Sequence, residues 1–408
     1  MNSLENKKLL NIIVVVAALG YFVDIYDLIL FAIVRVKSLQ DLGITGKEEL
    51  LSQGLYLMDR QMFGMLAGGL LWGILGDKKG RVSVLFGSIL LYSVANILNG
   101  FVTTIEMYGW LRLLAGIGLA GELGAGITLV SETMSKENRG YGTMIVVSFG
   151  VLGAVLAAIV GQSFSWQTAY FIGGGLGLLL LILRIGVYES GMYESVKNSA
   201  VSRGNFFKLF NSPMRIMKYL SCITIGIPIW FLIGILVTFS PEFGDHLNVK
   251  GVIAGTAVMA CYIGLSVGDL MGGILSQVFK TRKKIVFLYL TLTVITVPIY
   301  LYSENISLLM FYFLCGLLGV AGGYWALFVT IASEQFGTNI RSTVTTTVPN
   351  FVRGAFVPLS WAFIYLKQEY GLIDSALIIG GISLVVAYIS LWCLNETYGK
   401  DLDYFEVN

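Results

Sequence analysis

Long apolar runs separated by short polar turns dominate the chain. Runs able to supply the roughly 20 residues that cross about 30 Å of hydrocarbon number twelve, at about 10–36, 53–76, 82–103, 107–133, 141–163, 166–187, 217–240, 251–279, 285–302, 306–333, 342–367 and 372–394. The strict alternation of a barrel strand is absent, and backbone groups in lipid must be satisfied within each segment, so helices are expected throughout. The longest hydrophilic stretch, 188–216, divides the runs six and six. The predicted fold is therefore an all-α membrane protein, with one six-helix bundle over 1–187, a linker over 188–216 and a second bundle over 217–408.

Composition agrees with this pattern. Of 408 residues, 56% are hydrophobic and only 13% charged, and the mean hydropathy is +0.78, far from a soluble average. A formal net charge of +2 hides a strong asymmetry. Lys and Arg crowd the turns after the even-numbered runs, as at Lys78, Lys79, Arg81, Lys136, Arg139, Arg203, Arg282, Lys283, Lys284 and Arg341. The opposite side offers only Arg35, Lys37, Lys47, Lys250 and Lys367. The positive-inside rule then places both termini in the cytoplasm of a multi-pass protein, expected in a bacterial inner membrane. Met1 to Lys8 is short and polar and no cleavage site follows, so the first run reads as a retained helix. His246 is the single histidine, and Cys222, Cys261, Cys315 and Cys393 lie singly in apolar runs, which argues against a metal cluster or a disulfide framework. No cofactor is expected beyond protons as a coupling ion.

The polar turns repeat. Ser131-Glu132 with Arg139 recurs as Ser333-Glu334 with Arg341, with a Glu-to-Arg spacing of seven in both and an offset of 202. Gly73-Ile74-Leu75 recurs as Gly273-Ile274-Leu275 at an offset of 200, and Tyr188-Glu189-Ser190 is echoed by Asn395-Glu396-Thr397. Such matches imply two halves of the same topology about a pseudo-two-fold axis along the membrane normal.

These motifs carry a family resemblance. Gly73-Ile74-Leu75-Gly76-Asp77-Lys78-Lys79-Gly80-Arg81 resembles the signature loop of the major facilitator superfamily between its second and third helices. Arg112 with the stretch from Ala115 to Glu122 resembles the fourth-helix signature of sugar porters and metabolite:proton symporters. Asn395-Glu396-Thr397-Tyr398-Gly399-Lys400 is similar to the Pro-Glu-Thr-Lys-Gly ending of sugar porters. The resemblance covers the whole chain and implies the major facilitator fold. It also implies a cytoplasmic latch built from Gly73, Asp77, Gly80, Arg81, Glu132, Arg139 and Glu189, with Glu334, Arg341 and Glu396 as the second-half set. Two departures stand out: Gln277 replaces the usual acidic residue in the second-half copy of the loop, which predicts a looser gate there, and only Glu189-Ser190 remains of the usual Pro-Glu-Ser-Pro.

An ionisable residue inside a span costs roughly 2.5–3.5 kcal/mol on insertion scales and so requires a reason. Asp24 and Asp27 lie in the first run, three apart and hence on one helical face. Arg112 lies near the outer end of the fourth, with Glu122 about 15 Å deeper along the axis. The resemblance implies that Asp27 and Arg112 form a proton-coupling pair, with Asp24 and Glu122 as further protonation or substrate groups. The plainer alternative for either aspartate is an assembly pair with a neighbouring helix. Asp59 and Arg60 read as an entrance pair. In the second half, Arg353 sits mid-span in the eleventh run and favours an anionic group on the substrate. Asn350, Trp230, Tyr262 and Trp325 are candidate contacts beside it, although aromatics in spans more often serve packing.

The expected function is proton-coupled import of a small polar metabolite, such as an organic acid, sugar or polyol, by alternating access. The expected partners are that small molecule and the lipid bilayer, with no nucleic acid and the chain acting as a monomer. A proton-antiporting exporter is the alternative within transport; the resemblance implies a Gly-Pro signature in the fifth helix of such exporters, and 145–161 contains glycines but no proline. A nutrient sensor on the same scaffold is the alternative outside it. No nucleotide loop or nucleophile–base pair supports an enzyme.

Overall fold

The computed structural model describes residues 3–135, 138–183 and 206–405. Among these residues there is no strand, and the twelve expected spans are present as helices. The first half comprises α1 (Ser3–Asp41), α2 (Lys47–Lys79), α3 (Arg81–Asn99), α4 (Ile105–Leu119 and Glu122–Thr133), α5 (Arg139–Gly150 and Gly153–Ser163) and α6 (Trp166–Leu183). The second comprises α7 (Pro213–Thr224, Ile227–Trp230 and a π-turn Phe231–Val237), α8 (Ala254–Val278), α9 (Lys283–Leu301) and α10 (Leu308–Ala321 and Trp325–Gln335). It is completed by α11 (Arg341–Gly354 continuing over 356–370) and α12 over 372–393. The segment 184–205, with Glu189 and most of the expected linker, lies outside the described residues.

Local chemistry sets the interruptions. Pro228 has no N–H to donate and opens the short piece of α7, after which the helix widens and Thr238 bonds back five residues to the Ile233 carbonyl. In α11 the break at Ala355 falls between Pro349 and Pro358. The turn from α11 to α12 is a single residue, Gly371, at φ 78° and ψ −177°, where a side chain would be strained. Gly80, at φ 105°, turns α2 into α3 in the same way.

Close glycine contacts tie the helices within each half. A Cβ at Gly64 of α2 would lie 2.2 Å from the Leu113 carbonyl of α4, and one at Gly264 of α8 would lie 2.0 Å from the Gly316 carbonyl of α10. The two glycines are 200 residues apart, so the sequence repeat is also a packing repeat. Leu90, Ile182, Ile295 and Trp392, from α3, α6, α9 and α12, are exposed, Trp392 to 88%. The second piece of α4, the second piece of α10 and the first piece of α11 are buried almost throughout. The outer helices thus offer apolar side chains to hydrocarbon, and the inner ones enclose polar groups where the halves meet.

Candidate functional site

A narrow cavity of about 10 Å³, room for about one water, lies where the two halves meet. Its walls include Tyr21 from α1, Trp230 from α7, Tyr262 from α8, Trp325 from α10 and Arg353 from α11. Four residues singled out in the sequence therefore converge on one space. Tyr21 was not among them, although it precedes Asp24 by one helical turn on the same face.

Arg353 is the cation of this cavity and is 1% exposed. Its guanidinium donates to Asn350 Oδ1 at 3.3 Å and to the Tyr21 hydroxyl at 3.4 Å, and lies 5.4 Å from the centre of the Trp325 ring. Asp24 Oδ2 stands 3.9 Å from Nη2 across the seam between the halves. Asn350 is a positioning residue, not a wall. Its amide donates to the Ala120 and Thr346 carbonyls at 2.8 and 2.7 Å, which pins α11 to α4 and aims Oδ1 at Arg353.

Asp27 and Arg112 are both fully buried but not hydrogen-bonded to each other. Arg112 donates to Gln61 Oε1 and to the Tyr170 hydroxyl, the latter at 3.5 Å, and lies over the Phe31 ring at 4.7 Å. The Tyr170 hydroxyl is itself hydrogen-bonded to that of Tyr108 at 2.7 Å. Asp27 instead packs on Gly173 of α6, whose Cβ, were there one, would lie 2.1 Å from Oδ1. Arg112 still attracts Asp27 electrostatically, but Gln61 and Tyr170 occupy the guanidinium, so the expected direct hydrogen-bonded pair is not formed. Glu122 is buried at the first turn of the second piece of α4, where a helix N-terminus favours an anion, and is not a cavity wall.

The expected entrance pair is also rearranged. Asp59 Oδ2 accepts from Trp361 Nε1 of the other half at 3.3 Å, while Arg60 lies over the Tyr56 and Trp110 rings at 4.9 and 5.5 Å. Aromatic neighbours on both sides draw the two charges apart. Asp269 of α8 was missed in the sequence. It is buried and accepts from the Ala326 N–H at 2.8 Å, capping the second piece of α10 next to Trp325. A lone carboxylate inside the eighth run was the signal that could have found it.

At the end of the bundle that carries the 73–81 turn, the halves are bound together. Asp77 accepts from the Ser342 and Thr343 N–H groups at 3.1 and 2.8 Å and from the Thr343 hydroxyl at 2.6 Å, capping α11 from the other half. Gly73 and Gly76 allow this approach: a Cβ at Gly76 would fall 2.2 Å from Ser342 Oγ. Arg139 pairs with Glu334 at 2.9 Å and Arg341 with Glu132 at 3.2 Å, both across the seam, and Arg282 reaches Glu334 at 3.4 Å. Gln277, the counterpart of Asp77, abuts Gly140 at the start of α5 with its Nε2 unbonded. Arg81 opens α3, with its side chain outside the described residues.

The segment after α12 lies over this network. Glu396 accepts from the Thr281 hydroxyl at 2.6 Å and from the N–H groups of Arg282 and Lys283 at 2.9 and 3.2 Å. Partial burial pushes its carboxyl up, but these donors outweigh that and leave it below the ordinary glutamate value. Further on, Arg139 donates to the Lys400 carbonyl and Arg341 to that of Leu402, so one strand of backbone is held by both halves.

Comparison with known proteins agrees with this architecture. The chain is 24% identical over 386 residues to the sialic acid transporter NanX of Escherichia coli (strain K12), covering 93% of this chain and 90% of that one. It is 24% identical over 292 residues to the 3-(3-hydroxy-phenyl)propionate transporter of the same organism, covering 71% of each. Among solved structures it is similar to the proton:xylose symporter XylE bound to 6-bromo-6-deoxy-D-glucose, with a TM-score of 0.79, 15% identity and 98% of both chains covered, a likeness of fold. The family model described as Major Facilitator Superfamily matches residues 12–356. With twelve spans in two halves around one shared cavity, this chain belongs to the Major Facilitator Superfamily and is a multi-pass membrane transporter, not an enzyme.

Proposed function

We propose that this transporter is a proton-coupled symporter that imports a small carboxylated metabolite by alternating access. The observation that carries the reading is Arg353, a fully buried guanidinium facing a cavity walled by Tyr21, Trp230, Tyr262 and Trp325. A guanidinium binds a carboxylate through two parallel hydrogen bonds, and aromatic faces hold the apolar remainder. The names of the two relatives point the same way, since sialic acid and 3-(3-hydroxyphenyl)propionate are carboxylic acids.

Alternating access accounts for the rest of the arrangement. The cavity lies on the seam, and cross-half contacts close the end with the basic turns, which the Lys and Arg distribution assigns to the cytoplasm. Opening to that side requires breaking Arg139–Glu334, Arg341–Glu132 and the Asp77 cap together. At the other end Trp361 donates to Asp59, a further contact between the halves. Asp24 and Asp27 of α1, with Glu122 and Asp269, are buried acids that could carry the proton.

Purified protein in liposomes, given an imposed pH gradient and a panel of radiolabelled carboxylates, sugars and polyols, tests this. Accumulation of carboxylates with the proton gradient, abolished by Arg353→Gln, is the expected result. Carriage of sugars or polyols alone, equilibration without accumulation, or movement against the proton would reject it.

A further inference from the structure

We infer that the groove between α9 and α12 binds an anionic phospholipid, with Lys283 and Lys284 holding the headgroup and the groove holding an acyl chain. This site lies on the outer face of the second half and does not depend on the carboxylate reading above.

The groove is long and apolar. Its first part, about 820 Å³, lies between Phe287 of α9 and Val385, Ile389 and Trp392 of α12. A second part of about 260 Å³ shares Val385 and Tyr388 with it and continues past Gly381 and Leu377 to Pro298. From Lys283 to Pro298 the helix rises about 22 Å, more than the roughly 15 Å of hydrocarbon in one leaflet. The Tyr388 hydroxyl, which lines both parts, is hydrogen-bonded to that of Thr291 at 2.9 Å, so it makes no demand on a hydrocarbon neighbour. A Cβ on Gly381 would meet nothing within 4 Å, so the groove is open there.

Charge collects at one end only. Lys283 and Lys284 open α9 at the end of the bundle with the basic turns, beside the exposed Trp392, the placing of an interfacial aromatic. Lys283 Nζ donates to the Leu394 carbonyl and, at 3.5 Å, to that of Trp392, which fixes its ammonium over the end of α12. Lys284 is exposed, and among the described residues its side chain makes no hydrogen bond or ion pair. Glu396 accepts from the Arg282 and Lys283 N–H groups and the Thr281 hydroxyl, so it caps the helix and leaves both ammonium groups for another anion. At the repeat offset of 202 Lys284 corresponds to Val82, so its charge is not part of the repeated pattern of basic turns.

A headgroup of net negative charge completes this arrangement. Its phosphodiester accepts charge-assisted hydrogen bonds from two ammonium groups, whereas a zwitterionic headgroup brings its own cation towards them. The lysines then confer a preference for the anionic lipid of about fivefold each and about 30-fold together. Arg282 reaches Glu334 from the same turn, so the bound headgroup also ties the start of α9 to the end of α12 beside the closed end.

The test reads Trp392 by quenching with brominated acyl chains. Vesicles contain equal amounts of phosphatidylglycerol and phosphatidylcholine, with one lipid labelled at a time, and Trp392→Phe supplies the background from the other tryptophans. Labelled phosphatidylglycerol is expected to quench with a relative affinity about 30-fold higher, and Lys284→Gln to lower that preference about fivefold. Native mass spectrometry of the wild type should show phosphatidylglycerol carried out of detergent in preference to phosphatidylcholine. Gly381→Leu, which fills the groove away from the headgroup, should lose that lipid. Equal quenching by the two labels, equal retention of the two lipids, or a preference that survives Lys284→Gln would overturn the inference. So would Trp392 shielded from both labels, since a protein and not a lipid would then cover this face. The wild-type retention measurement stands even if a variant fails to fold.

Discussion

Arg139 of α5 meets Glu334 of α10 at 2.9 Å, although Glu132 stands seven residues before it in its own half. Arg341 makes the reciprocal choice and pairs with Glu132 at 3.2 Å, so two local repeats close into one cross-half lattice. Each ion pair is buried. Without Arg139, Glu334 keeps Arg282 at 3.4 Å, whereas Glu334→Gln deprives both arginines of their carboxylate. Glu334→Gln is therefore expected to destabilise the closed end by about 3–5 kcal/mol, and Arg139→Ala by less. Cysteine-accessibility labelling of the seam at this end should rise in both variants. A double-mutant cycle on closure should return a coupling of about 0.5–3 kcal/mol. Additive effects would mean that the pair does not act as a latch.

Glu396 makes the strap over that lattice sensitive to acid. Its carboxyl lies below the ordinary glutamate value because Thr281, Arg282 and Lys283 donate to it against the opposing effect of burial. A depressed carboxyl contributes stability above its unfolded value, about 4.3, and loses it as pH falls through the folded value. Hydrogen exchange over 395–405 should therefore be slow at neutral pH and accelerate only as pH drops below about 4. Glu396→Gln should show fast exchange already at pH 7, and an unchanged profile in that variant would remove Glu396 as the anchor.

Arg353 provides a second measurement, on binding alone. Trp230 and Trp325 line the same cavity, so intrinsic fluorescence reports its occupancy. Arg353→Gln should weaken carboxylate binding by roughly 10- to 100-fold, equivalent to a charged hydrogen bond of about 1.5–3 kcal/mol. Arg353→Lys should recover part of this, because the charge survives but the planar fork does not. Equal loss in both would point to packing and not to recognition.

Gly173 and Gly175 of α6 form a matched pair of tests. A Cβ on Gly173 would lie 2.1 Å from Asp27 Oδ1, whereas nothing lies within 4 Å of one on Gly175. Gly173→Ala should cost about 1–3 kcal/mol in thermal unfolding and impair transport by displacing Asp27. Gly175→Ala should be neutral or slightly stabilising, since a helical glycine loses backbone entropy without a packing gain. Similar behaviour of the two would show that Asp27 tolerates displacement.

Asp269 positions the cavity from behind. Asp269→Ala removes the cap on the second piece of α10 and should cost about 0.5–2 kcal/mol. Asp269→Asn keeps an acceptor for the Ala326 N–H and should restore most of it. If Asp269 acts by placing Trp325, the alanine variant should also lower carboxylate affinity in the fluorescence assay, and the asparagine variant should rescue both.

Much of this architecture is written locally in the chain. A run of apolar residues long enough for hydrocarbon is a helix whatever surrounds it, so the twelve spans and the division into halves were legible from hydropathy. The basic turns and the repeats at 73–75, 132–139 and 334–341 were legible as well, because they need only spacing along one chain. A buried Arg in a span demands a purpose, and so Arg353 could be picked out with Trp230, Tyr262 and Trp325 near it. What remained undecided was every choice of partner. Arg112 turns to Gln61 and Tyr170 and not directly to Asp27, Asp59 separates from Arg60, Glu122 stays off the cavity wall, and Asp24 faces Arg353 from the other half. Each depends on how helices separated by 51 residues or more along the chain are rotated and set against one another. Periodicity gives the face of a helix, but ion pairs and hydrogen bonds act over about 3–4 Å, a distance that only the packing of the two halves decides.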